Sequence, residues 1–181
     1  MTRVYLDNNA TTPLDPRARA AMLPWLGERW GNPSSIHAQG QEAREAVEDA
    51  RARVAALIGG QPEETVFVAS GTEANNAVLR STARAASGRG HLVISTLEHP
   101  SIRMNASDLA ASGFSVSTVA PDASGVVDPV AVISVLRPDT RLVCLMLASN
   151  EIGTLQPVAE VALECRRRGV AVHCDAVQAA G

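Results

Sequence analysis

Asp175 follows the apolar run Val170-Ala171-Val172-His173-Cys174, and Gln178 stands three residues beyond it. A short apolar run of this kind reads as a buried strand. A carboxylate at the carboxyl end of a strand in an α/β sheet points into the crevice where such sheets bind ligands. Asn150 holds the same kind of place after the run from Leu142 to Ala148. His99 comes just past a third run, His91 to Thr96, and precedes Pro100. An imidazole there can stack on a flat ring or pass a proton. Ser70-Gly71-Thr72-Glu73 lies between a strand pattern and a helix pattern. A helix N-terminus offers backbone N–H groups and the positive end of its dipole to a phosphate, and Thr72 adds a hydroxyl donor. The same four residues also read as a capping box. A capped turn still binds an anion, so the two readings are compatible.

A phosphate cradle, an imidazole, an Asn, a Gln and an Asp at strand ends suit pyridoxal phosphate. That cofactor has a phosphate, a flat ring, a phenolic oxygen and a pyridine nitrogen. Its electron-sink role needs the nitrogen kept protonated, and a buried Asp does this. His173 shares strand parity with Asp175 and is expected to face the same side as a supporting partner. His37 and His91 read as structural. Cys144, Cys165 and Cys174 lie in apolar patterns, with neither CxxC nor zinc spacing. Small buried hydrophobes are the expected reading for all three, with no metal site.

These positions depend on the elements around them. Val4 to Leu6 reads as a short strand, and Asp7 to Pro13 as a polar loop. Asp15-Pro16 reads as an N-cap with Pro at the first helical position, opening a helix to about Leu26. A long helix ends at Ile58 before Gly59-Gly60, with Ala43, Val47, Ala50, Val54, Leu57 and Ile58 on its apolar stripe. From Thr65 the pattern alternates. Expected strands are Thr65–Ala69, His91–Thr96, Ser115–Val119, Arg141–Ala148 and the run ending at Asp175. Helices lie between them, opened by Ser70, Pro100, Asp128-Pro129 and Pro157. Alternation of this kind predicts an α/β fold with a mostly parallel sheet flanked by helices.

Composition limits what this fold can do. The 181 residues are 46% apolar and 19% charged, as a globular chain is. A net charge of −3 gives no basic footprint for nucleic acid. No apolar run has the length of a membrane span, and MTRVYLDNNATTP lacks the apolar core of a signal peptide. Those features and the odd cysteine count favour a cytoplasmic location. All 16 basic residues are Arg; the chain has no lysine.

YLDNNATTP, GNPSSIHAQG, SGTEANN, EHPSI, SNEIG and HCDAVQ occur in this order. As a set they resemble the cysteine desulfurases, pyridoxal-phosphate enzymes of the class V aminotransferase family and of fold-type I. The DNNATTP and GNPSS forms are most similar to the group that supplies iron–sulfur cluster assembly. The resemblance spans essentially the whole chain but only the first half or so of a family member. It implies a partial fold-type I large domain over residues 16–181 and a small-domain segment over residues 1–15. It implies that Gly71 and Thr72 bind the phosphate, and that His99 stacks on the ring and serves in proton transfer. Asn150 and Gln178 would reach the phenolic oxygen, and Asp175 the pyridine nitrogen. Ala69-Ser70 departs from the Ser-Gly usual before the residue matching Gly71.

By the same resemblance, the lysine that bonds the cofactor lies beyond HCDAVQ. So do the nucleophilic cysteine on its mobile loop and the arginine that binds the substrate carboxylate. None of the three cysteines present matches that nucleophile. The chain is therefore expected to be the N-terminal part of a cysteine desulfurase, from a truncated chain or a split enzyme, and inactive alone. The implied partners are L-cysteine, a second copy or a complementary C-terminal half, and a sulfur-acceptor scaffold protein. The alternatives are another class V enzyme, such as a selenocysteine lyase or an aminotransferase, and a non-catalytic module on the same fold.

Overall fold

A computed structural model describes residues 4–180, and they divide into two units at Phe67 and Val68. In the first unit, α1 (Pro16–Met22) starts where Asp15 accepts a hydrogen bond from the Arg17 N–H, with Pro16 at the first helical position. A 3₁₀ turn, Leu23–Leu26, follows it. α2 (Ala38–Ile58) is capped by the His37 imidazole, which accepts from the Gly40 N–H, and ends at Gly59 with φ 68°. That left-handed value is one glycine adopts without strain.

Three expectations for this part of the chain do not hold. Val4 to Leu6 is not a strand. The Tyr5 hydroxyl donates to the carbonyls of Asp7 and Thr11, folding the segment onto its own loop. Thr65 to Ala69 is not a strand either. Backbone groups at its two ends are met locally: the Thr65 N–H donates to Pro62 O, the Thr65 carbonyl accepts from Arg51, and the Ala69 N–H donates to Glu73 Oε2. On α2, Ala43 is the one buried member of the apolar stripe and Val47 is half-buried, while Ala50, Val54, Leu57 and Ile58 are exposed.

The second unit carries a four-stranded parallel sheet in the order β2-β1-β3-β4. Its strands are β1 (Gly90–Ser95), β2 (Phe114–Val119), β3 (Thr140–Cys144) and β4 (Ala171–His173). Its helices are α3 (Gly71–Ala85), α4 (Pro100–Ala111), α5 (Pro129–Ser134) and α6 (Val158–Arg167). Leu92 and Ile94 of β1 and Leu142 and Cys144 of β3 pack on one face with Leu79 and Ala83 of α3 and Ile102 and Ala106 of α4. Val93 and Val143 point the other way, to Val132 of α5 and Val161 and Cys165 of α6. Successive strand side chains alternate between faces. Cover on both faces explains why the strands read as continuous apolar runs.

β3 is shorter than its apolar run. Beyond Cys144 the Leu145 and Leu147 N–H groups still donate to the carbonyls of His173 and Asp175, while Ala148 bridges to Leu155. β1 leads through α4 to β2 on one side. The chain then returns through α5 to β3 on the other side of β1, and α4 and α5 cover opposite faces. The carboxyl ends of β1 and β3 therefore flank a topological switch point, where open α/β sheets take ligands.

Ser70 accepts from the Glu73 N–H at 3.1 Å and so caps α3. Ser70→Ala is expected to cost about 1 kcal/mol, read as a lower urea midpoint at an unchanged slope. An unchanged midpoint would show that the cap carries no net stability.

Candidate functional site

His99 is the N-cap of α4, just past β1. Asn150 lies in the turn after β3, where the Gly153 N–H donates to Ser149 O. Asp175 and Gln178 follow β4. Gly71 and Thr72 open α3, whose first turn lies against the segment after β4: a Cβ on Gly71 would meet Val177 Cγ2 at 3.0 Å. Of the first three helical N–H groups of α3, Ser70 satisfies that of Glu73. The Gly71 and Thr72 N–H groups have no partner within the helix, as at any α-helix start. Glu73 reaches back to the Ala69 N–H at 2.7 Å. The capping expectation for SGTE holds, and the Gly71 and Thr72 amides are left over at the helix start.

A hydrogen-bonded network behind these residues joins α3, α4 and β4. Asn75, one helical turn past Gly71, donates from Nδ2 to Asp175 Oδ2 at 2.9 Å and to Ser101 Oγ at 3.0 Å. Its Oδ1 lies 2.7 Å from His173 Nε2. Ser101 Oγ is 2.8 Å from His99 Nδ1, which also accepts from the Ser101 N–H at 3.1 Å. Asp175 Oδ1 accepts from the Val177 N–H at 3.1 Å. Asp175, His99 and the start of α3 are thus tied into one framework. Asn150 and Gln178 stand on neighbouring turns, the first half-buried and the second exposed. Gln156 steadies the Asn150 turn: its Oε1 accepts from the Val127 N–H, and its Nε2 donates to Gly125 O and Thr154 Oγ1.

Glu98 lies beneath this framework at 1% exposure. Its Oε1 accepts from the Met146 N–H at 2.8 Å, while Oε2 has no hydrogen-bond partner. Burial pushes its carboxyl up to about 7, against the pull of Met146 and Ser95, and the Asp175 charge adds to the rise. Burial also lowers the His173 imidazole, although Asp175 opposes this. As its strand parity suggested, His173 faces the same side as Asp175, both meeting Asn75. His91 is structural as expected, fully buried between Thr140 Oγ1 and Ser117 Oγ.

Cys144 and Cys165 are buried, whereas Cys174 is half-buried rather than enclosed. Desolvation raises all three thiols, so none has the thiolate character of a nucleophile. Among the described residues no group of His, Cys, Asp and Glu is placed to hold a metal ion, and no helix is long and apolar enough to cross a membrane.

Asn75, Ser101 and Glu98 escaped the sequence reading although all lie inside its motifs. The available signal for Asn75 was its spacing: four residues after Gly71, it shares the helix face that opens on the crevice. Chemically, the site offers two amides at a positive helix end, an oriented carboxylate and an imidazole. That set suits an anion attached to a flat, basic ring.

Residues 4–181 match the family model for aminotransferase class-V. The cysteine desulfurase of Homo sapiens is 43% identical over 180 residues, covering 98% of this chain and 39% of that protein. The cysteine desulfurase IscS of Anaeromyxobacter sp. (strain K) is also 43% identical over 180 residues, with 45% of its length covered. Among solved structures, a NifS-like protein superposes with a TM-score of 0.93 at 38% identity, over 98% of this chain and 50% of its own. A structure titled SspA in complex with cysteine gives 0.92 at 31% identity, over 97% of this chain and 51% of its own. The chain thus spans about half the length of the solved structures it matches, and less than half of these curated relatives.

Proposed function

The chain belongs to the class-V aminotransferase family, and from that premise we propose that it forms the cofactor-binding part of a pyridoxal-phosphate cysteine desulfurase. The reaction would convert L-cysteine to L-alanine and leave the sulfur as an enzyme persulfide. The observation that carries the reading is Asp175. Its carboxylate stands at the end of β4, oriented by Asn75 and Val177, beside the N-terminus of α3.

The residues present fit the cofactor. Gly71 and Thr72 would hold its phosphate through backbone N–H groups and the dipole of α3, a 15-residue helix. Asp175 would hold the proton on the pyridine nitrogen, His99 would cover the ring, and Asn150 and Gln178 would donate to the phenolic oxygen. When bound, the cofactor supplies an electron sink for bonds to the substrate's α-carbon. His99 Nδ1 is an acceptor for the Ser101 N–H, which leaves Nε2 as the ring nitrogen that carries the proton and can donate a hydrogen bond.

L-cysteine as substrate follows from the names of the relatives and from the neighbour titled as a complex with cysteine. A homodimer or a complementary half, a sulfur-acceptor scaffold for iron–sulfur clusters and a cytoplasmic location complete the proposal.

This chain has no lysine, and the guanidinium of Arg stays protonated and is a poor nucleophile. The pure chain is therefore expected to bind pyridoxal phosphate reversibly and to catalyse no sustained desulfuration. Equilibrium dialysis and absorbance measure the binding. Borohydride followed by mass mapping should find no internal adduct, and assays with L-cysteine should yield no continuing sulfide or alanine. Absence of binding would defeat the cofactor assignment. Sustained turnover would defeat the claim that a lysine from elsewhere is needed.

A further inference from the structure

Asn75 is 3% exposed and lies on α3, away from the strand ends that carry the other site residues. Every polar atom of its side chain is engaged. An ionised carboxylate only accepts hydrogen bonds, so the atom facing Asp175 Oδ2 at 2.9 Å is the amide nitrogen. Its second proton goes to Ser101 Oγ at 3.0 Å. Oδ1 then faces His173 Nε2 at 2.7 Å and can only accept. His173 must therefore carry its proton on Nε2. Ser101 Oγ, having accepted from Asn75, turns its own proton to His99 Nδ1, 2.8 Å away. His99 Nδ1 is already an acceptor for the Ser101 N–H, so its ring proton also belongs on Nε2.

We propose that Asn75 is a positioning residue that orients Asp175 and sets the tautomer of His173 behind the site. It aims the Asp175 carboxylate, fixes the His173 proton on Nε2 and, by donating to Ser101 Oγ, turns the Ser101 hydroxyl proton toward His99 Nδ1. Without Asn75, Asp175 Oδ2 loses its charge-assisted donor, and the Val177 N–H on Oδ1 is left to orient the carboxylate. The aim of Asp175 at a pyridine nitrogen rests on the cofactor reading above; the proton pattern does not. Burial of His173 favours its neutral ring and so makes the choice of nitrogen meaningful at neutral pH.

Two substitutions separate the roles. Asn75→Leu removes donor and acceptor together. Asn75→Asp keeps an acceptor for His173 but loses the donor to Asp175 and Ser101. In the full chain labelled with ¹⁵N-histidine, long-range proton–nitrogen spectra report which ring nitrogen carries the proton, and the chain has only four histidines to assign. Wild type and Asn75→Asp are expected to show the proton on Nε2 of His173, and Asn75→Leu to lose that signature. Pyridoxal phosphate affinity is expected to fall by roughly tenfold or more in both variants, as loss of one hydrogen bond to a charged group implies. An Nδ1 proton on His173 in the wild type, or an unchanged His173 signal in Asn75→Leu, would overturn the proposal. So would wild-type affinity in both variants. If even the wild type bound no pyridoxal phosphate, the cofactor reading would fall, and the histidine spectra would still decide the role of Asn75.

Discussion

Asp175→Asn is expected to leave the sheet folded while reducing cofactor-dependent turnover by roughly 10²-fold or more, the scale seen when a preorganised electrostatic partner is removed. Both Asp175 oxygens accept in the structure, Oδ1 from the Val177 N–H and Oδ2 from Asn75 Nδ2. An Asn in this place has one acceptor and one donor group. Whichever way it turns, its NH₂ faces a donor. If it faces Asn75, that amide must flip and present its own NH₂ to His173, which forces the His173 proton to Nδ1. If it faces Val177, a backbone N–H loses its acceptor. The change therefore removes the counter-charge for a protonated pyridine nitrogen and also disturbs the network that aims the group.

Two readouts test this. The first is pyridoxal phosphate affinity of the 181-residue chain with and without the substitution. The second is cysteine-dependent turnover of a chimera in which this segment replaces the matching part of the Anaeromyxobacter relative. Wild-type affinity and wild-type turnover together would remove Asp175 from the site.

The difference between Asp175 and Asn75 shows what a sequence makes legible. Asp175, Asn150 and His99 each follow an apolar run. A polar side chain just after a buried strand has few places to go but the crevice. Asn75 lies inside a helix, where an Asn ordinarily reads as part of the solvent face. Its burial depends on β4 and α4, which are far away in sequence: its partners are 98, 100 and 26 residues distant. Glu98 was similarly hidden beside the more conspicuous His99, because its significance comes only from enclosure. The parallel sheet was readable because β1 and β3 are buried on both faces and flanked by helices, of which α3, α4 and α5 have side-chain caps. The segment 65–69 has the same apolar alternation as a strand. Periodicity, however, does not supply a ladder neighbour, and at Thr65 and Ala69 local donors and acceptors take the backbone groups instead.

Glu98 should make the stability of the chain fall as pH rises. Its carboxyl sits at about 7 in the folded state, above an ordinary value of 4.5. Between those two values the folded state holds a proton that the unfolded state has released. Linkage then requires the unfolding free energy to drop with increasing pH across that window and to level off above about 7. The whole fall should be about 3 kcal/mol, taking 1.36 kcal/mol for each pH unit. Burial at 1% exposure and the lone Oε2 are its structural causes, and the nearby Asp175 adds to it.

Two buried imidazoles act in the opposite sense. His91 and His173 are both lowered by burial, so their contributions to stability are lost as pH falls and gained as it rises toward 6.5. The wild-type profile alone therefore mixes both effects. Glu98→Gln keeps a side-chain oxygen for the Met146 N–H and removes the ionisable group, leaving the histidines in place. Urea unfolding of both proteins from pH 4.5 to 8 isolates Glu98 as the difference between the curves. The variant should gain on the wild type by about 3 kcal/mol across the window, with no further change above pH 7.5. Parallel curves would mean that Glu98 titrates as an ordinary carboxyl, and that an ionised carboxylate is tolerated beneath Asp175 at no cost to the fold.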